Sequence, residues 1–402
     1  MRPIRETIAL DEALALLLDA ATPLARTERV AISESHGRVV ASPVVSTLDV
    51  PPFDRAAMDG YAVVAEDTFG ASASAPKTLR VVGTAYTGHV SVDRVTSGAC
   101  VEIATGAPLP AGADAVVMVE ETERAGDGAV RVLTPVYPRQ HVGRRAADIA
   151  AGQTMVETGV VLNPSRIGAL AAGGVTDVEV FARPRVAILS TGNEIVEPGQ
   201  PLEPGQIYDI NRFTLASIIE VHGGTAVTYP AAPDSISDLT AAVSAAQAED
   251  VLVFSGGSSV GDRDLIMDVI AALGDVIFHG IAVKPGKPTM FGKIRGKPVL
   301  GMPGYPTSCL SNAYMLLVPM LRRMARLPEY RPERVRLPLA RRIVSTTGRH
   351  QFYTVRIAEG TAMPAFKASG DITSMSQADG YIQIPAQTDI VEAGELVDVS
   401  LF

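Results

Sequence analysis

Two lysines straddle a rigid turn in Lys284-Pro285-Gly286-Lys287-Pro288, a spacing that lets both ammonium groups address one anion. Read alone, the string serves equally well as a solvated basic turn. A second string, Ser255 to Asp264, leaves an apolar run and enters a helical one. Its Gly256, Gly257 and Ser259 let backbone approach an anion closely, and a helix start offers free N–H groups. The spacing is neither that of a dinucleotide fingerprint nor that of a P-loop. Carboxylates Glu194, Asp234, Asp262 and Asp264 fall at the ends of expected strands. Acidic groups beside phosphate-binding lysines repel the same ligand unless a Mg²⁺ bridges carboxylates to phosphates. Asp234, just before Ser235, also fits simple helix capping. In Met302-Pro303-Gly304-Tyr305-Pro306-Thr307-Ser308 a strand gives way to a helix beginning at Pro306, placing Ser308 and nearby N–H groups toward an anion. Phe53 to Tyr61 contains Asp59-Gly60, by itself a turn, and Ala104-Thr105-Gly106-Ala107-Pro108 follows later.

The elements that must hold these groups follow from periodicity. Residues 10–20 read as a packing helix with Leu14, Leu17 and Leu18 on one stripe. Short β-type runs punctuated by Gly, Pro and Asp fill residues 51–134. A strand is expected at 159–162, then a helix capped by Asn163-Pro164 and ended by Gly173 or Gly174, packed back beside the N-terminal helix. From residue 185 onward apolar strands at 186–189, 226–229, 251–254, 276–278 and 298–300 alternate with helices at 211–222, 235–248, 264–273 and 306–324. Strands apolar on both faces imply a parallel sheet covered on two sides, with its strand-to-helix loops on one edge. β-type texture returns after residue 328 and reads as a small barrel or sandwich.

Composition narrows the class. The chain has 402 residues, 47% hydrophobic and 20% charged, which implies a globular protein of several domains. A formal net charge of −9 disfavours nucleic acid and anionic lipid as partners. Two cysteines and six scattered histidines supply neither a disulfide framework nor a zinc site. No apolar stretch is long enough to span a bilayer, and a cytoplasmic location is expected.

Together the strings resemble the MoeA family of molybdopterin molybdenumtransferases, to which the gephyrin E domain is related. The matching residues are Asp54-Arg55-Ala56-Ala57-Met58-Asp59-Gly60-Tyr61-Ala62, Thr105-Gly106-Ala107-Pro108, Ser190-Thr191-Gly192-Asn193-Glu194, Gly205-Gln206-Ile207-Tyr208-Asp209, Ser255-Gly256-Gly257, the Lys284 turn and Pro303-Gly304-Tyr305-Pro306, in order along nearly the whole chain. The resemblance implies an elongated homodimer of four-domain chains. Residues 1–48 with 138–180 would form a discontinuous first domain, and 49–137 a β-rich insertion in it. Residues 181–327 would form an α/β molybdopterin-binding domain, and 328–402 a β-barrel. It implies transfer of molybdenum from molybdate to adenylylated molybdopterin with Mg²⁺-dependent release of AMP. Asp59, Thr105, Glu194 and Lys284 would be catalytic. Gly256, Gly257, Ser259, Lys287, Pro303, Pro306, Ser308 and Ser369 would hold the ligand, and Asp234 and Asp264 the Mg²⁺. Asp59 and Thr105 would act across the subunit interface, and the adenylyltransferase that supplies the substrate is an expected contact.

Departures from the family pattern are local. Arg144-Arg145-Ala146-Ala147-Asp148 lacks a Gly-Glu pair, Tyr305 stands where many relatives have Asn, and His279-Gly280 replaces a basic side chain. A tungstate-preferring enzyme and an idle scaffold of the gephyrin E type are the alternatives. The intact set of Asp59, Glu194, Asp264 and Lys284 argues against the scaffold. The adenylyltransferase step needs only the α/β domain, so three further domains disfavour it.

Overall fold

Apolar side chains that alternate between the two faces of one sheet set the centre of the fold. The computed structural model describes residues 6–126, 128–256 and 264–402. The sheet has the strand order Thr225–Thr228, Arg185–Ser190, Val251–Ser255, Lys297–Met302, Met290–Ile294, Gly274–His279. Val186, Ile188, Val253 and Leu300 point to one core, and Ala187, Leu189, Leu252, Phe254 and Val299 to the other. The period of two places successive residues on opposite faces, and both faces are dry. Helices Asn211–Val221 and Val318–Met324 cover the first face, Ile236–Ala245 and Leu265–Leu273 the second.

The expectation of a fully parallel sheet is corrected. The first four strands in that order run parallel, but Met290–Ile294 is antiparallel to Lys297–Met302, and Gly274–His279 is antiparallel to Met290–Ile294. The cause is a two-residue hairpin at Arg295 and Gly296, with φ of 51° and 78°. Two left-handed residues in succession match strand twist and reverse the chain at once, with no room for a crossover helix.

The N-terminal segment up to Glu28 belongs with Phe181–Phe402 in one unit, and Arg29–Val180 forms another. The helix Leu10–Ala20 buries Ala13 and Leu17 among Leu316, Leu317 and Leu321 of the α/β core. The helix Pro164–Ala172 starts as expected, with Asn163 Oδ1 accepting from the Arg166 N–H at 3.0 Å. Its Leu170 packs with Val40, Val156, Leu162, Val178 and Val180. The expected pairing of these two helices is therefore wrong, because each apolar stripe is filled by a different core. The strand expected at 159–162 is reduced to a single bridge between Val39 and Val161.

The second unit is organised by a sheet of order Ala115–Met118, Gly60–Val63, Ala99–Ile103, Lys77–Ala85, Ala129–Val132, Thr122–Arg124, with a core on each face. Gly60 is required there, since a Cβ would lie 1.8 Å from the Val117 carbonyl oxygen.

At the C-terminus the strands Arg334–Pro338, His350–Ala358, Gly380–Ile384 and Leu396–Leu401 curl around Val355, Ile382 and Val399. Thr361–Pro364 pairs with His350–Ala358, and a bridge from Leu339 to Ala362 links the two ends of the sheet. The result is a barrel-like sheet with one thin seam. The short strand Val283–Lys284 joins it in parallel, placing Lys284 opposite Gln351.

Candidate active site

In the unit containing the mixed sheet, two cavities adjoin at the carboxyl edge of its parallel strands and share Pro288, Pro303 and Tyr305. The larger, of about 830 Å³, is lined by Glu194, Asp209, Asn211, Ser190, Gly256 and Pro306, and by apolar Ile195, Leu202, Ile207 and Tyr208. The smaller, of about 610 Å³, is lined by Lys284, Lys287, Arg349, Lys367, Ser308 and Ser369. Charge is thus segregated: every basic lining residue falls in the smaller cavity and every acidic one in the larger.

Each wall has a local cause. The Val251–Ser255 strand delivers Gly256 at φ 102°, where a Cβ would meet the Thr191 carbonyl oxygen at 2.3 Å, so only glycine lets the two loops close up. Thr191 N–H donates to the Ser255 carbonyl at 3.0 Å, which fixes the loop bearing Glu194. That loop continues into a parallel ribbon, Ile195–Val196 against Ile207–Tyr208, which forms the apolar wall. On the other side Asn211 Nδ2 donates to the Gly304 carbonyl at 2.8 Å and fixes the Pro303-Gly304-Tyr305 turn. Ser190 Oγ and Asn211 Oδ1 are buried without partners among the described residues.

The Lys284 turn is clamped from beneath. Asn312 Nδ2 donates to the Gly286 carbonyl at 2.9 Å and to Thr289 Oγ1. Lys284 Nζ donates to Thr346 Oγ1 at 2.7 Å, and Lys367 Nζ to Thr373 Oγ1 at 3.1 Å. Ser369 enters through its backbone, its carbonyl accepting from the Thr307 N–H at 3.1 Å.

The expected metal residues are placed differently. Asp264 is the N-cap of the helix Leu265–Leu273, its Oδ1 accepting from the Met267 N–H at 3.1 Å, and its Oδ2 stands 3.1 Å from His279 Nε2. Asp234 does not cap; Ser235 does, accepting from the Asp238 N–H at 3.1 Å. Asp234 instead accepts a short hydrogen bond from the Thr191 hydroxyl, and its N–H donates to Asn193 Oδ1 at 3.2 Å. Neither carboxylate is among the residues lining the two cavities, and no cluster of three or more metal-ligating side chains occurs among the described residues. Gly257, Ser259 and Asp262 lie outside the described residues.

In the other unit the two expected strings interlock. Ala56 N–H donates to the Ala107 carbonyl at 3.0 Å, and Gly106 N–H to the Ala56 carbonyl at 2.8 Å. Asp59 Oδ1 accepts from the Thr105 N–H at 2.7 Å. That backbone bond, followed by the Thr105 hydroxyl, holds the Asp59 carboxyl below its ordinary range and keeps it ionised. Arg145 ion-pairs with Asp49 at 2.5 Å, and its N–H donates to Asp54 Oδ1 at 2.7 Å. Its place is therefore to fix the strap that leads into the Asp59 string.

Sequence reasoning missed Arg349, Lys367, Asn211 and Asn312. Arg349 and Lys367 sit in C-terminal β texture with no motif around them, and both asparagines lie within ordinary helical runs.

Comparison with known proteins bears on the whole chain. Family models match in order: the MoeA N-terminal region (domains I and II) over residues 8–174, a probable molybdopterin binding domain over 187–323, and the MoeA C-terminal region (domain IV) over 336–402. Molybdopterin molybdenumtransferase 2 of Mycobacterium tuberculosis is 34% identical over 92% of this chain and 94% of its own. The chain belongs to the MoeA family. Among other MoeA relatives, the molybdopterin molybdenumtransferase of Haemophilus influenzae is 36% identical over 79% of this chain and 78% of its own. A crystal structure of a molybdopterin biosynthesis MoeA protein from Pyrococcus horikosii superimposes with a TM-score of 0.84 at 41% identity, covering 98% of this chain and 99% of that one. No helix among the described residues is long and apolar enough to cross a membrane.

Proposed function

We propose that this MoeA protein inserts molybdenum from molybdate into adenylylated molybdopterin and releases AMP. The observation that carries the reading is the split cavity, with Lys284, Lys287, Arg349 and Lys367 on one side and a larger chamber, lined among the described residues by acidic, polar and apolar groups, on the other. The substrate has the same division: an anionic phosphoanhydride, joined by molybdate, and planar heterocycles to either side of it. The basic side chains offset negative charge that grows as the phosphoanhydride breaks. Ser308, which lines the same basic cavity, offers a hydroxyl to oxyanion oxygens. We assign Glu194 and Asp59 the role of accepting a proton at the reacting centre, with Asp59 held ionised by Thr105.

Asp234 and Asp264 are hard oxygen donors of the kind Mg²⁺ takes one or two at a time, with water and phosphate as its remaining ligands, and would each hold the ion from outside the two cavity linings. When bound it would polarise the phosphoanhydride. Among the described residues, Asp234 has one oxygen bound by the Thr191 hydroxyl and Asp264 has its Oδ1 bound by the Met267 N–H, while His279 Nε2, 3.1 Å from Asp264 Oδ2, makes no hydrogen bond. We further propose that the protein works in the cytoplasm as a homodimer, with Asp59 and Thr105 of one chain serving ligand held by the other, and takes its substrate from the adenylyltransferase.

The test supplies purified protein with adenylylated molybdopterin, Mg²⁺ and either molybdate or tungstate, and follows AMP. Release that depends on the oxyanion supports the reading, and the preferred oxyanion decides between molybdenum and tungsten. AMP release that ignores both oxyanions would sink it.

A further inference from the structure

Tyr305 is the aromatic residue that lines both cavities. It is 65% exposed and makes no ring contact among the described residues. An exposed aromatic side chain at a cavity boundary is usually free to swing, yet its backbone is held from several directions. Asn211 holds the preceding Gly304 carbonyl, the Tyr305 carbonyl accepts from the Cys309 N–H at 2.9 Å, and Thr307 is tied to Ser369 and Asp371. Gly370 approaches the ring, and a Cβ there would stand 3.7 Å from Cδ1.

Resting on the reading above, we propose that Tyr305 is a specificity-determining residue whose ring stacks on one planar heterocycle of the ligand while the phosphates lie over Lys284, Lys287, Arg349 and Lys367. Among the described residues the larger cavity has acidic and apolar walls and no cation, so they repel phosphate and suit a neutral ring rich in N–H donors. A ring reaching from there to the basic cavity must pass the residues common to both, which are Pro288, Pro303 and Tyr305. Prolines supply edges, whereas tyrosine supplies a π-face, on which any base stacks regardless of its identity. Asn in the same place would hydrogen-bond but could not stack.

Calorimetric titration with AMP on one arm and a pterin monophosphate on the other identifies the ring, and molybdate titration monitors the basic cavity. Tyr305→Ala and Tyr305→Asn should weaken one of the ring ligands roughly tenfold, and Tyr305→Phe should bind within about twofold of wild type. Molybdate affinity should hold within about twofold throughout, which also shows that the variants are folded. Equal binding of both ring ligands by wild type and Tyr305→Ala overturns this proposal alone. A wild type that binds molybdate but neither ring ligand removes the reaction reading and this proposal with it. Loss of self-association in Tyr305→Ala with ring affinity intact would make Tyr305 an interface residue and overturn stacking.

Discussion

A carboxylate can serve as cap, ligand or base, and at Asp264 and Asp59 the structure makes these roles separable. Asn caps a helix as well as Asp but binds Mg²⁺ poorly. Asp264→Asn should therefore keep thermal stability within about 0.5 kcal/mol while raising the Mg²⁺ needed for AMP release, whereas Asp264→Ala should cost about 1 kcal/mol in addition. An unchanged Mg²⁺ requirement in Asp264→Asn would leave Asp264 as a cap only. Asp59 is exposed and accepts one backbone bond, so Asp59→Asn should leave the melting curve unchanged and slow AMP release by roughly 10²–10⁴. Because Thr105 lowers the Asp59 pKa, any acid limb owed to Asp59 should fall below the ordinary carboxylate range. The Asp59 and Thr105 strings were legible as strings, but their interlocking was not, since tertiary contacts between residues 46 apart leave no local pattern. Arg349 and Lys367 were illegible for the same reason: a single cation in β texture looks like any surface charge.

Elements were legible where one period dominated. The helix Leu10–Ala20 and the strand Val251–Ser255 follow directly from spacing and apolar runs. The stretch 306–324 did not behave as one helix. It is α over Pro306–Asn312, π over Ala313–Leu317 and α again over Val318–Met324. Pro319 brings no N–H and crowds the carbonyl one turn earlier, so the backbone widens rather than breaking. The Met290–Ile294 strand was missed because its Gly292 lowers β propensity, yet that glycine is needed for close approach to Asp275. At the end of the helix Asn211–Val221, His222 is buried edge-on to Tyr330 at 4.7 Å, with Nδ1 unpartnered among the described residues. Burial, reinforced by Arg322, pushes its pKa down to about 4. The unfolded chain, with histidine near 6.5, then binds the proton more readily than the folded one. Stability should be complete above pH about 6.5 and fall as pH drops toward about 4, by on the order of 2–3 kcal/mol. Urea melts of the protein and of His222→Phe across that window check this: the slope should largely vanish in the variant.

At the scale of the molecule, a net charge of −9 surrounds a pocket that must attract anions. Molybdate binding should therefore be governed by local cations, and Lys284→Ala should weaken it about tenfold or more even at high salt, where long-range repulsion is screened. The homodimer proposal makes a sharper demand. Asp59→Asn and Lys284→Ala chains, each slow alone, should recover up to about a quarter of wild-type AMP release after mixing and subunit exchange. No recovery, with exchange verified by mass, would confine both residues to one chain's own site.

The first helix belongs to a core whose other members, the adjoining Ile8 and Ala21 apart, come from beyond Phe181. A ribosome therefore releases Leu10–Ala20 long before Leu316, Leu317 and Leu321 exist, while Arg29–Val180 emerges as one uninterrupted stretch able to fold first. The helix has to wait through most of synthesis with its apolar stripe unfilled, and its docking closes a loop of very high contact order. Locking that helix in place is thus expected to be the last event in maturation, and substitutions at Ala13 or Leu17 should show themselves as lost yield of soluble chain before they show as lost turnover.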